Sequence, residues 1–224
     1  MVLEYKKQLE KSRYLIYHWH IMKKERLGFN IVLLGMITSG KETQANILMK
    51  KYSLRPVESG VHWRKLMKEK SQDGAWVRRT TGQGKPAPVA LMKKFLVHEI
   101  GKKPKGKDLI FIGNPRLKPE AQLLKKIMES KKEDFFAFYI TLPDREVYRR
   151  SRARKAGNMK AIYKVLDDDK IIKARIDYHK KQVSKTVKYF ESLGKMKKIN
   201  GNQPIPKVTK DIEKVIEKYR KDKS

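Results

Sequence analysis

The chain has 224 residues, 39% of them hydrophobic and 35% charged, which suits one sizeable α/β domain with a buried core, or two small domains. The absence of cysteine excludes disulfides, thiolate metal sites and cysteine nucleophiles, and it favours a reducing compartment. With 55 lysines and arginines against 24 aspartates and glutamates, the net charge is +31, which predicts a polyanionic partner or a field that attracts nucleotides. A lysine-rich proteome that places cations on every surface is the plainer explanation of the same charge.

Residues 1–28 predict a basic helical extension, with one helix over 3–27 that Gly28 closes. Its aromatic and basic residues interleave, which is typical of segments that stack on bases and contact phosphates. A helix that packs its aromatic face on the body of the domain explains the pattern equally well. Glu4, Glu10 and Glu25, with the lack of an apolar core and of a small-residue cleavage site, argue against a secretory signal or a transit peptide. No apolar run is long enough for a transmembrane helix, so none is expected.

The most informative segment is a buried strand, 31–34, that breaks at Gly35 and restarts as a helix near Lys41. A strand, loop and helix in this order direct backbone N–H groups and a helix N-terminus into one concavity, which suits a polyphosphate. The spacing Gly35-x4-Gly40-Lys41 fits the P-loop pattern, in which the lysine places a positive charge against the outer phosphates. Glu42 stands where that pattern has serine or threonine, and Thr43 follows one residue later.

Apolar strands alternate with helices along the rest of the chain. The predicted strands are 54–57, 108–112, 135–141 and 196–200. The predicted helices are 41–52, 63–70, 88–100, 120–131, 144–155, 169–193 and 205–219, followed by a charged tail over 220–224. This alternation predicts βαβ units and an α/β fold, with a central parallel sheet that helices cover on both faces. The segment GKKPKGK, 101–107, is predicted to be an exposed basic loop.

Four segments in fixed order resemble the adenylate kinase family of nucleoside monophosphate kinases. GMITSGKETQA at 35–45 is similar to the family loop G-x-P-G-x-G-K-G-T-Q-A, in which threonine also follows lysine by two positions. ESGVHWR at 58–64 stands where the family has S-T-G-D-x-x-R, and IGNPRLKPEAQ at 112–122 stands where it has D-G-F-P-R-x-x-x-Q-A. The segments between 142 and 208 resemble the lid and the C-terminal portion of short-lid members.

The resemblance implies a three-layer P-loop fold over residues 29–219. Within it, 58–100 would form the part that binds a nucleoside monophosphate (NMP), and 154–168 a short lid that closes over substrates and excludes water. The implied reaction is transfer of the terminal phosphoryl group of Mg-ATP to an NMP.

The resemblance implies roles for several residues on the donor side of this reaction. Arg150 would lie against the donor base. The ATP phosphates would be held by the loop residues Gly35, Ser39, Gly40, Lys41, Glu42 and Thr43.

On the acceptor side, Arg64 and Arg116 would grip the monophosphate, because a guanidinium group binds phosphate oxygens in a bidentate manner. Arg154 and Arg175 would converge on the phosphoryl group in flight, where neutralising its equatorial oxygens supplies most of the catalysis. The implied catalytic residues are therefore Lys41, Arg116, Arg154 and Arg175. Glu120 replaces the glutamine with which the family reads the acceptor adenine. An ionised carboxylate accepts hydrogen bonds but donates none, which leaves the acceptor base open.

The chain departs from the family where magnesium is handled. Ile112 and Val61 stand in place of two acidic residues, whereas Glu42 stands in place of the glycine beside Lys41. Phosphoryl transfer from ATP needs a divalent ion held by carboxylates or hydroxyls. Either Glu42 and Thr43 now anchor the metal and catalysis survives, or Glu42 neutralises Lys41 and the site is a relic.

A second function remains open at this point. A kinase-like fold that has lost catalysis could serve as a basic RNA-binding or ribosome-associated structural protein, given the net charge, the basic loop and the missing acidic residues. A cytoplasmic location is expected, or an organelle matrix if the protein is associated with ribosomes, and no membrane partner is expected.

Overall fold

The computed structural model describes residues 24–81, 86–157 and 168–223, and within them a five-stranded parallel sheet carries helices on both faces. The strands are β1 (Asn30–Gly35), β2 (Leu54–Val57), β3 (Asp108–Ile112), β4 (Phe135–Thr141) and β5 (Met196–Asn200). The helices before β4 are α1 (Lys41–Lys51), α2 (Ser59–Leu66), α3 (Gln72–Arg79), α4 (Val89–Gly101) and α5 (Lys118–Ser130). Those after it are α6 (Asp144–Ala156), α7 (Asp169–Tyr178), the π-helical segment His179–Val183, α8 (Ser184–Ser192) and α9 (Ile205–Lys221).

The sheet has the strand order β2-β3-β1-β4-β5, with β1 at its centre. Ile31 pairs with Ile110 of β3 on one side and with Phe136 of β4 on the other. All six residues of β1 are buried, as expected for a parallel strand whose two faces are both covered. Because the strands are parallel, their carboxyl ends meet at one edge of the sheet, where ligands bind in folds of this class.

Two hydrophobic cores flank the sheet, and β1 supplies both of them by alternation. Val32 and Leu34 pack with Phe135 on one face, whereas Ile31 and Leu33 belong to the core of the other face. Each fully buried side chain of this size stabilises the fold by about 1.5–3 kcal/mol, so β1 holds the two layers together.

The segment before β1 is extended, and the prediction of a helix through residue 27 is wrong for 24–27. The reason is a contact far away in sequence, since the buried carboxylate of Asp108 accepts hydrogen bonds from the Leu27 and Gly28 amides at 3.0 and 2.9 Å. Glu25 pairs in a parallel β-bridge with Tyr52. A helix would direct these amides to its own carbonyl groups instead.

Most other predicted elements are present, with shifted ends. Strands 54–57, 108–112, 135–141 and 196–200 are confirmed. The helix expected over 63–70 starts earlier, at Ser59, and a separate helix, α3, was not predicted. The sequence feature that marks the start of α3 is Ser71, whose hydroxyl caps the helix by accepting a hydrogen bond from the Gly74 amide at 3.1 Å. Helix α9 continues to Lys221, so the predicted charged tail begins as helix.

Some predicted features lie outside the described residues. They are the predicted N-terminal helix up to residue 23, residues 82–85 of the NMP-binding part, and most of the predicted lid, 158–167. In the described ranges, no helix is both long and apolar enough to cross a membrane.

Candidate active site

The loop after β1 has the geometry of a phosphate cradle. A Cβ atom on Gly35 would lie 2.5 Å from Ser39 Oγ and 2.9 Å from the Ile140 carbonyl oxygen, so only glycine fits there. Gly40, with φ of 87°, caps α1, and its carbonyl oxygen accepts from the Gln44 amide at 2.9 Å. The amides of the first three residues of α1 have no carbonyl partner within the helix, and they lie at the positive end of the helix dipole. The loop therefore presents N–H donors to an anion.

Lys41 begins α1, and its side chain is folded into the protein. Only 8% of the residue is exposed. A Cβ atom on Gly113 would lie 3.3 Å from Lys41 Cε, so the lysine runs along the loop that follows β3. Burial lowers the pKa of Lys41 against the opposing effect of Glu42, and the nearby Arg116 and Arg175 guanidinium groups lower it further. The site thus gathers positive charge that an anionic ligand would stabilise.

Glu42 provides the negative charge closest to this cluster. Its Oε1 lies 2.9 Å from Lys41 Nζ, and 62% of its side chain is exposed. Partial burial tends to raise the pKa of Glu42, but Lys41, and more weakly Arg154, hold it below its usual value. Arg154 therefore lies near enough to act on the same carboxylate.

Arg116 is held in place by its own backbone. Its Nε donates to the Gly113 carbonyl oxygen at 2.8 Å. Its amide and that of Leu117 donate to the same oxygen of Glu120, Oε2, at 2.8 and 3.1 Å. Burial raises the pKa of Glu120, and these two backbone hydrogen bonds partly offset the rise. Glu120 thus caps α5 and positions Arg116, while its predicted role toward the acceptor base stays a prediction.

The other two predicted arginines, Arg150 and Arg64, have different surroundings. Arg150 joins the loop to the turn after β5, since its guanidinium group donates to the carbonyl oxygens of Thr38 at 3.4 Å and Gly201 at 3.1 Å. Arg64 is exposed on α2. Within the described ranges, no hydrogen bond or ion pair joins Arg64 to the cluster of Lys41, Arg116 and Arg175.

Comparison with known proteins agrees with this geometry, because the family model described as "Adenylate kinase" matches residues 33–195. The chain belongs to the adenylate kinase family. It is 27% identical over 191 residues to an adenylate kinase of Bacteroides fragilis, an alignment that covers 84% of this chain and 98% of the relative. It is 28% identical over 194 residues to that of Azobacteroides pseudotrichonymphae, covering 85% and 99%. For Methanothrix thermoacetophila the values are 26% over 214 residues, covering 85% and 100%.

In this adenylate kinase family member, sequence reasoning missed His179, which lies beside the cluster. The ring stacks near Tyr139, with centroids 6.0 Å apart. Burial, followed by the charges of Arg116 and Lys41, lowers the pKa of His179 to about 3. His179 opens a π-helical segment, a feature often found at functional sites, and nothing in the local sequence predicts it.

Several buried polar atoms in this region have no hydrogen-bond partner within the described residues. Two of them, Ser39 Oγ and Asn114 Oδ1, belong to the loops that follow β1 and β3. Asn114 Nδ2, in contrast, donates to the Val57 and Ile112 carbonyl oxygens at 3.1 and 3.3 Å. Buried polar atoms without partners are costly, so these atoms mark places where a polar ligand is favourable.

The residues present fit a magnesium ion that has only one or two protein ligands. In the described ranges no three carboxylate, histidine or cysteine side chains converge, and Ile112 is buried and apolar. Mg²⁺ keeps several waters and takes one or two carboxylates plus substrate phosphates. Glu42 and Thr43, both exposed in the first turn of α1, meet that minimum.

Glu120→Gln should keep the fold, whereas Glu120→Ala should lose about 1 kcal/mol relative to it, because only glutamine retains an oxygen for both amides. In the wild type the folded pKa of Glu120 lies above the unfolded value, so its ionisation costs stability as pH rises through that range. Urea unfolding from pH 4.5 to 8 should show this loss in the wild type and not in Glu120→Gln. Equal stability of the two variants would contradict the capping role.

His179→Phe should flatten the acid side of the stability profile. Because the pKa of His179 is lowered to about 3, the unfolded chain binds its proton first as pH falls below about 6.5, and the fold loses stability. Between pH 6 and 5, the free energy of unfolding should fall more steeply with pH in the wild type than in the variant, by a difference that approaches about 1.4 kcal/mol per pH unit. Parallel profiles of wild type and variant in urea unfolding would show that His179 is not held neutral.

Proposed function

We propose that this protein transfers the terminal phosphoryl group of ATP to a nucleoside monophosphate. The observation that supports it is the gathering of Lys41, Arg116, Arg175 and Arg154 at the N-terminus of α1. Four cations beside the first-turn amides of α1 suit a transferring phosphoryl group, since its negative charge spreads over three oxygens.

Each group has a distinct task in this proposal. The loop amides and Lys41 hold the phosphates of ATP, and the burial of Lys41 strengthens its charge interaction. Arg116, fixed by Gly113 and Glu120, presents its guanidinium group to the acceptor phosphate with little loss of side-chain freedom. Arg154 and Arg175 neutralise the group in transfer.

The acceptor side is the less complete part of the proposal. Arg64 and the segment 58–100 would bind the NMP, and Arg64 would have to approach Arg116 when the acceptor binds. Among the described residues, Glu120 accepts two amides with Oε2 and none with Oε1, so Oε1 would accept a hydrogen bond from an amino group of the acceptor base. Arg150, beside Thr38 and Gly201, would face the donor base.

Glu42 and Thr43 would hold magnesium in this proposal. The ion, when bound with ATP, draws charge from the phosphate oxygens and lowers the barrier to transfer. The Glu42 carboxylate lies 2.9 Å from Lys41, and 62% of its side chain is exposed, so it could turn from the lysine to the ion.

The comparisons lend no support to the RNA-binding or ribosome-associated role that the net charge suggested, and it is not proposed as the function. The expected cytoplasmic location stays a prediction.

Lys41→Ala should lower ADP formation from Mg-ATP and AMP by at least about 100-fold, because the substitution removes the positive charge that stabilises the phosphate groups during transfer. Lys50→Ala is the matched control, since Lys50 is exposed in the last turn of the same helix. A coupled assay of purified protein measures both variants. Wild-type turnover no higher than that of Lys41→Ala would overturn the proposed reaction.

Glu42→Gln and Glu42→Gly separate the two interpretations of Glu42. If it holds the metal, Glu42→Gln should lower kcat by about 10-fold or more and raise the magnesium requirement, with little change in ATP affinity. If it only neutralises Lys41, Glu42→Gly should tighten ATP binding and leave the magnesium requirement unchanged. Calorimetric ATP binding and turnover over a magnesium series distinguish the two.

A further inference from the structure

A second cationic concavity lies at the edge of the sheet opposite the candidate active site. It is a groove of about 460 Å³. Its lining comes from Arg26, which precedes β1, from the loop 101–107, which precedes β3, and from Lys131 and Glu133, which precede β4. These segments enter the amino ends of three neighbouring parallel strands, whereas the phosphate loop leaves a carboxyl end. The groove is therefore separate from the nucleotide site.

The inner cations of the groove are already neutralised. Arg26 pairs with the buried Asp108 at 3.2 Å. Lys103 pairs with Glu133 at 2.7 Å and lies 3.7 Å from Asp108. Asn30 fixes this floor by donating to Glu133 at 2.9 Å. Such a hydrogen-bonded network is rigid and has no spare charge for a ligand.

The outer cations of the groove, in contrast, are available. Lys105, Lys107 and Lys131 are exposed, and in the described part of the chain none of them forms an ion pair or a side-chain hydrogen bond. Lys105 and Lys107 stand on a loop with Pro104 and with Gly106, whose φ is +76°. Lys131 is attracted by Glu133, but that carboxylate already has a cationic partner. Positive charge therefore remains in excess at the groove, and an anion bound between the three lysines would relieve their repulsion.

The form of the groove indicates which kind of anion fits. Sites for compact ligands have apolar walls and a few converging polar groups, but among the described residues no aromatic side chain lines this groove. Lysine is a flexible point charge that sets no bidentate geometry. Exposed lysines along a groove suit repeated phosphates of an extended chain, and the net charge of +31 would draw such a chain toward the protein.

We propose that this groove binds the phosphodiester backbone of a nucleic acid strand through Lys105, Lys107 and Lys131, without reading its bases. Phosphate contacts of this type fix position and carry no sequence information. The binding is independent of the proposed phosphoryl transfer, because the two sites occupy opposite edges of the sheet.

The test measures binding of a labelled single-stranded RNA of mixed sequence, about 20 nucleotides long, by fluorescence anisotropy of the full chain at about 50 to 200 mM salt. The groove variant is Lys105→Gln with Lys107→Gln and Lys131→Gln. The charge-matched control replaces the exposed Lys207, Lys210 and Lys214 of α9 by glutamine.

Binding by the groove variant should weaken by about 10-fold or more, and the slope of log affinity against log salt should fall by about 2 for three lost single-strand phosphate contacts. The control variant should change affinity by less than about 3-fold. Equal losses in the two variants would show that binding follows net charge alone and would overturn the proposal.

Three further measurements separate the groove from its rivals and check the fold of the groove variant. RNA affinity should survive Lys41→Ala with Arg116→Ala, and its loss there would place the RNA at the nucleotide site and overturn the proposal. Calorimetry with inorganic tripolyphosphate should show no saturable binding at the groove. Tight tripolyphosphate binding that the groove variant abolishes, combined with unchanged RNA binding, would assign the groove to a small polyphosphate instead. Turnover of the groove variant should equal that of the wild type, and this comparison checks its folding as well.

Discussion

The mutual repulsion of cations around one loop is the constraint on which the candidate active site depends. Lys41 is buried beside Arg116 and Arg175, where charge interactions are stronger than in water. A site of this kind needs a negative charge, and the Glu42 carboxylate supplies one at 2.9 Å from Lys41 Nζ. Glu42 therefore does locally what a substrate phosphate would do. An acidic residue beside Lys41 is therefore compatible with a loop that collects cations.

Much of the fold could be predicted, because buried parallel strands are continuous apolar runs with clear ends. The loop from Gly35 to Thr43 was predictable as well, since its spacing is local. Helix α3 was not predicted although Ser71 caps it, because the helix is short and contains Gly74, which has a low helix propensity. The extended segment 24–27 could not be predicted, because the Asp108 carboxylate that determines it lies about 80 residues away in sequence.

The same difference applies to the candidate site. Lys41, Arg116 and Arg175 were predicted from the resemblance, but only the folded chain shows that both arginines act on Lys41 and that all three cations act on His179. The dual use of Glu120 Oε2 was also not predictable, since a sequence shows the residue type and not its hydrogen bonds. These contacts between residues distant in sequence follow from the topology of the sheet. Parallel strands bring their ends together at one edge and their beginnings at the other, so each edge collects side chains from loops that are distant in sequence.

The π-helical segment His179–Val183 sets the rotational phase of the helix that contains it. Before the segment, Ile172 and Ile176 pack into a small cluster with Val147. After it, Phe190 packs against Phe135 of the sheet, with ring centroids 5.3 Å apart. A π-helical turn holds about one residue more than an α-helical turn, so one helix can direct its two halves into different clusters. Deleting one residue there would let the segment close as an ordinary α-helical turn with Phe190 still facing the sheet, whereas deleting one residue from α7 would turn the downstream half by about 100° and carry Phe190 out of the core.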